Sequence, residues 1–145
     1  YRALLKRVEG ACWPVHVLQN PCNMAALMVT VDLAISAAGS TAWELAFMGV
    51  PAVLLVVADN QEQVARTMGQ AGAALVLGRG AAVGEEELGE AVRPLVGDKA
   101  RRAEMSRRGR RLVDGFGAER VVEAMLQYSA GEEAGGQVAD SVSWQ

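Results

Sequence analysis

Between residues 15 and 77 one pattern recurs: a short apolar run, a break of small or polar residues, then a stretch with helical spacing. The apolar runs are Val15-His16-Val17-Leu18, Asp32 to Ser36, Pro51 to Val57 and Ala74 to Leu77. The intervening helices are read at Met24 to Val29, Thr41 to Met48 and Asp59-Asn60 to about Gln70. Strands that alternate with helices require crossover connections, and these give a parallel sheet. The third run is continuously apolar, as expected of a strand covered on both faces. The expected fold is therefore a doubly wound α/β domain with a parallel sheet; periodicity does not supply the strand order.

The flanks read as helices. Tyr1 to Val8 is amphipathic, with Leu4, Leu5 and Val8 on one side, and reads as the middle or end of a helix that something precedes. Asn23 suits an N-cap for the helix that begins at Met24. Downstream, helices are expected at Glu85 to Val96, Asp98 to Val113 and Ala118 to Tyr128, broken by Gly115 and Gly117. Met105, Gly109, Leu112, Val113 and Phe116 should face the body. The domain is placed at 1–128, and the polar, Gly-rich stretch 129–145 reads as a disordered tail.

Composition narrows the function. The 145 residues carry 14 Lys+Arg against 17 Asp+Glu, a net charge of -3 that argues against a generic nucleic-acid binder. Lys99 to Arg111 holds seven cations, but Glu104 lies among them and the helical pattern makes this a solvated face. At 51% hydrophobic the chain is not disordered. Its longest apolar run, Pro51 to Ala58, is far below the ~20 residues of a membrane span. No basic, then apolar, leader pattern opens it. Cys12 and Cys22 form no disulfide framework, and with His16 alone they fit no usual zinc site. Reduced thiols, a cytoplasmic location, and no metal or cofactor are the expectation. His16 is read as structural, and Trp13 and Trp43 as packing residues.

Two segments carry chemistry. In Ser36-Ala37-Ala38-Gly39-Ser40-Thr41-Ala42-Trp43-Glu44 a strand turns at a glycine and opens a helix. The first N–H groups of a helix lack intrahelical partners and, with the helix dipole, bind anions. Ser40 and Thr41 add hydroxyls. The same residues also fit a capping box in which Glu44 reaches back to Thr41. No Lys follows the glycine, so this is neither a Walker A loop nor GxGxxG. The second segment, Ala58-Asp59-Asn60-Gln61-Glu62-Gln63, also leaves a strand and opens a helix. Asn60 and Gln61 could meet a sugar, or Asn60 could cap with Gln63. Both segments leave the same edge of one sheet and face one crevice, where open α/β sheets bind ligands.

These residues resemble a known family. Met24-Ala25-Ala26-Leu27-Met28, Ala34 to Glu44, Gly49-Val50-Pro51, Ala58-Asp59-Asn60-Gln61 and Leu112 to Val121 are similar to the C-terminal half of GT-B proteins, which include the MurG-type glycosyltransferases. Ser-Thr-x-Trp-Glu and the Asn-Gln after the third strand most resemble the PseG/SpsG-like hydrolases of pseudaminic acid biosynthesis. The resemblance covers about residues 24 to 126. It implies removal of UDP from UDP-2,4-diacetamido-2,4,6-trideoxy-β-L-altropyranose by inverting attack of water at the anomeric carbon, without a metal. Carried over by position, Gly39, Ser40 and Thr41 would hold the diphosphate, Glu44 the ribose hydroxyls, and Asn60 and Gln61 the donor sugar.

Ala38 departs from the family where a second glycine is common, and its methyl group would tighten the phosphate approach. The family's N-terminal domain, with its glycine-rich loop and histidine base, has no counterpart here, nor does the first strand of the C-terminal domain; His16 does not inherit the base role. The catalytic residues are thus expected outside this chain, in an N-terminal partner domain, and the chain should be inactive alone. A UDP-sugar glycosyltransferase half and a non-catalytic nucleotide-sugar-binding module are the alternatives.

Overall fold

The computed structural model describes residues 2–8 and 10–132. Three strands, β1 (Ala34–Ala37), β2 (Ala52–Val56) and β3 (Ala74–Arg79), form a parallel sheet in the order β1-β2-β3. Among the described residues seven helices accompany it: α1 (Arg2–Val8), α2 (Met24–Met28), α3 (Ser40–Met48), α4 (Glu62–Gln70), α5 (Glu85–Gly97), α6 (Lys99–Leu112) and α7 (Gly117–Glu132). A single 3-10 turn, Asp59–Gln61, joins β2 to α4. This is the α/β architecture with a parallel sheet that the alternation implies.

The central strand β2 organises the core. Its side chains alternate between two layers, as a strand must. Ala52, Leu54 and Val56 pack with Ala42, Leu45 and Ala46 of α3 and Ala65 and Met68 of α4. Val53 points the other way, onto Leu95 of α5 and Met105 of α6. Leu54, Val53, Met68 and Leu95 are fully buried. Each such apolar side chain contributes roughly 1.5–3 kcal/mol by leaving water. Gly109 lets α6 approach α3 closely: a Cβ there would stand 3.1 Å from the carbonyl oxygen of Ala46.

Two arginines of α6 tie helix ends together. Arg102 Nη1 donates to the carbonyls of Leu95 and Val96, both at 2.7 Å, in the last turn of α5. Arg110 Nη2 donates to the carbonyl of Met48, at 3.2 Å, at the end of α3. A cation that hydrogen-bonds terminal carbonyls satisfies orphan acceptors and opposes the helix dipole. On the solvated face Glu104 pairs with Arg107 and Arg108. The cap read from the sequence at Asn23 forms, and Asp98 supplies one not read from the sequence. Asn23 Oδ1 accepts from the Ala26 amide at 2.8 Å, and Asp98 Oδ1 from the Arg101 amide at 2.8 Å.

Four expectations need correction. Val15 to Leu18 is not a buried strand: it pairs with no strand, and Val15 and Leu18 are exposed. Apolar residues become a strand only where a neighbouring edge accepts their hydrogen bonds. His16 consequently lies outside any regular element and is exposed, not held in a sheet. Trp13 is 70% exposed and so is not a packing residue, whereas Trp43 does pack against the main core. Phe116 is 61% exposed, because the chain leaves helical geometry after Leu112 and the periodicity stops there. At the carboxyl end α7 runs to Glu132; the stretch 133–145, most of the expected tail, lies outside the described residues.

Candidate functional site

The carboxyl ends of β1 and β2 carry both sequence-predicted segments. β1 ends at Ala37, Ala38 continues the pairing through its amide to Leu55 O at 2.9 Å, and Gly39 turns the chain into α3. Gly39 is the N-cap residue, with extended backbone and no side-chain cap. The capping box therefore does not form. The helix begins two residues earlier than that box needs, which places Thr41 inside the first turn and Glu44 nearly a turn further on. Glu44 is exposed and makes no hydrogen bond among the described residues. Ser40 and Glu44 stand at i and i+4 and so share one helix face. The opening of α3 thus presents uncapped N–H groups, the exposed Ser40 and the Glu44 carboxylate toward solvent; Thr41 is half-buried beside Met24, Leu27 and Met28 of α2, and the first turn holds no acidic residue.

Ala38 is wholly buried, and its methyl group packs in the main core cluster.

The second segment folds differently from a simple cap. Asp59–Gln61 is a 3-10 turn whose N-cap is Ala58, and Asn60 caps nothing. Instead Gln61 folds its side chain back so that Oε1 accepts from the Val57 amide at 3.0 Å. That bond fixes which end of the amide is free. Gln61 Nε2 is directed to the Gly39 turn, where a Cβ on Gly39 would stand 3.6 Å from it. Gly39 and Gln61 are thus brought together at the start of α3, where Ser40 follows in the chain, while Thr41 lines the hollow against α2; Asn60 is exposed with a side-chain amide uncommitted among the described residues.

One participant escaped the sequence reading. Arg79, the last residue of β3, donates through Nη1 to Asp59 Oδ1 at 2.6 Å and through Nη2 to Glu62 Oε1 at 2.5 Å. The two carboxylates raise the Arg79 pKa above its ordinary value, chiefly through the Asp59 hydrogen bond. The available signal was an arginine between two glycines, Leu77-Gly78-Arg79-Gly80, at the end of an apolar run. Among the described residues no group of three or more His, Cys, Asp or Glu is placed to hold a metal ion. No described helix is long and apolar enough to cross a membrane.

Comparison with known proteins agrees with the fold. Residues 7–121 match the family model described as glycosyltransferase family 28 C-terminal domain. The chain is also similar to "Spore coat polysaccharide biosynthesis protein SpsG" of Bacillus subtilis (strain 168), with 36% identity over 111 residues. That alignment covers 77% of this chain and 32% of the relative, so the chain spans about a third of the relative's length.

Proposed function

The chain belongs to the glycosyltransferase family 28 C-terminal domain family, and from that premise we propose that its crevice binds the UDP part of a UDP-sugar. The observation that carries this reading is the pairing of an uncapped helix start at Gly39-Ser40-Thr41 with the Gln61 amide turned toward it. In this reading the N–H groups and hydroxyls of Ser40 and Thr41 take the diphosphate, since helix N-termini favour anions. Glu44 accepts from the ribose diol, as a carboxylate offers two acceptor oxygens and no donor. Asn60 and Gln61 face the sugar, whose hydroxyls and amides suit their mixed donors and acceptors.

The reaction we propose is hydrolysis. Water attacks the anomeric carbon, the bond from that carbon to the diphosphate oxygen breaks, and UDP leaves with inversion. A 2,4-diacetamido-trideoxy sugar of the pseudaminic acid type is the proposed substrate, supported by the Ser-Thr-x-Trp-Glu and Asn-Gln resemblance and by the similarity to a spore-coat polysaccharide protein. The groups that activate water are proposed to lie in a partner N-terminal domain. The second reading, sugar transfer to an acceptor, is favoured by the glycosyltransferase description of the matching family.

The test is calorimetric titration of UDP, with AMP as control. UDP binding in preference to AMP is expected. No binding, either to this chain or to a longer protein that includes it, would refute the site. With the longer protein, free sugar formed without an acceptor marks hydrolysis, and turnover only with an acceptor marks transfer.

A further inference from the structure

The bond between β2 and β3 changes register just before the crevice. Leu54 pairs with Val76, but Val56 pairs with Arg79, so β3 carries one extra residue. Gly78, at φ +87, absorbs it. Such a bulge re-aims the residue that follows. The Gly80 amide then re-engages Val56 O at 2.9 Å, which locks the bulge against the exit of β2. Arg79 is thereby held over the loop that leaves β2. Its fork reaches Asp59 and Glu62, which flank Asn60 and Gln61 in the chain.

We infer that Arg79 is a positioning residue: it clamps the 3-10 turn from both sides and so sets where the Asn60 and Gln61 amides meet the sugar of a nucleotide-sugar ligand. This rests on the nucleotide-sugar reading above. Two arguments support a positioning role over a merely stabilising one. Arg79, Asp59 and Glu62 are 57%, 88% and 52% exposed, and exposed ion pairs add little to global stability. A lysine ammonium is a point charge, whereas the planar guanidinium grips two carboxylates at once and fixes their separation. Arg79 also offsets one of the two carboxylate charges close to where a diphosphate would sit. The charge effect and the geometric effect must therefore be separated.

The experiment compares four forms of the 145-residue chain: unaltered, Arg79→Met, Arg79→Lys, and a charge-restored Arg79→Met/Glu62→Gln variant. UDP-N-acetylglucosamine and UDP are titrated by calorimetry, and exchange of the Val57 amide is followed by NMR. In Arg79→Met, faster Val57 exchange is expected, with a loss in sugar-nucleotide affinity of about ten-fold, since small misplacements of binding groups have effects of that order or more. UDP should weaken less than UDP-N-acetylglucosamine. Arg79→Lys should recover part of the loss. The charge-restored variant should stay weak and keep fast Val57 exchange. Recovery of affinity in that variant would reduce Arg79 to a counter-charge and overturn the positioning role. Unchanged Val57 exchange in Arg79→Met would overturn it too. If the unaltered chain binds neither ligand while Arg79→Met still speeds Val57 exchange, the clamp is real, the nucleotide-sugar reading fails, and the claim about the sugar falls with it.

Discussion

A glutamate on the early turns of a helix has two ordinary uses: it folds back to cap its own helix, or it projects to meet something else. At Glu44 the two predict opposite experiments. The side chain is exposed and without a hydrogen bond among the described residues, and the helix start it would cap belongs to Gly39. Glu44→Ala should therefore change stability by no more than about 0.5 kcal/mol, the range of an uncommitted surface residue. The same change should weaken UDP about ten-fold or more, since hydrogen bonds to a charged group contribute ~1.5–3 kcal/mol. Chemical denaturation and calorimetry on one preparation give both numbers; a stability loss near 1 kcal/mol with UDP affinity intact would return Glu44 to a cap. Strand, glycine, then polar helix start is a local pattern, so Gly39, Ser40 and Thr41 could be picked out of the sequence. The reversal of the Gln61 side chain onto Val57 and the reach of Arg79 to Asp59 could not be. The first depends on how the chain turns as it leaves β2, and Arg79 depends on a one-residue bulge that hydrophobic periodicity does not report.

At the scale of elements, helices were more legible than strands for a physical reason. A helix closes its hydrogen bonds within itself, so caps such as Asn23 and Asp98 and breakers such as Gly115 mark its limits locally. A strand needs an edge to pair with, and Val15 to Leu18 has none among the described residues. The junction between α6 and α7 carries a further consequence. Asp114 accepts from the Phe116 amide at 3.0 Å and from both Arg120 Nη atoms, at 2.8 and 3.0 Å. The Arg120 hydrogen bonds, before the Phe116 one, hold its carboxyl down to about 2 from the ordinary 3.8. A carboxyl depressed in the folded state stabilises above its unfolded pKa, and loses that contribution as pH falls through the folded value. The junction should thus be intact above about pH 4 and release the start of α7 between about 4 and 2. Carboxyl carbon shifts in an NMR titration should place the Asp114 midpoint near 2, and Arg120→Met should move it back toward 3.8. A midpoint already near 3.8 in the unaltered chain would show that the fork does not persist in solution.

At the scale of the molecule, the surface is less well covered than the core. Along α7, Val121, Met125 and Tyr128 recur at i, i+4 and i+7 and are 59%, 66% and 68% exposed. Val122 beside them is 55% exposed, and Ile35 on the outer edge strand β1 is 51% exposed. Contiguous apolar stripes and unpaired strand edges are what soluble chains usually cover. The expected behaviour is self-association of this 145-residue chain, with Kd in the range of about 0.01–1 mM, equivalent to roughly -4 to -7 kcal/mol. The exposed cations of α6 offer a competing electrostatic route, and salt separates the two. Apolar contact persists or tightens as salt rises, whereas contact between exposed charges is screened within a Debye length of about 3 Å at 1 M. Sedimentation or light scattering across concentration, at low and high salt, reads this directly. Association that survives 1 M salt and is lost in Val121→Lys/Met125→Glu, with the sheet fold intact by circular dichroism, assigns the contact to α7. A chain that stays monomeric to about 1 mM would show the apolar stripe too weak to pair, because even a contact of about -4 kcal/mol populates dimer there.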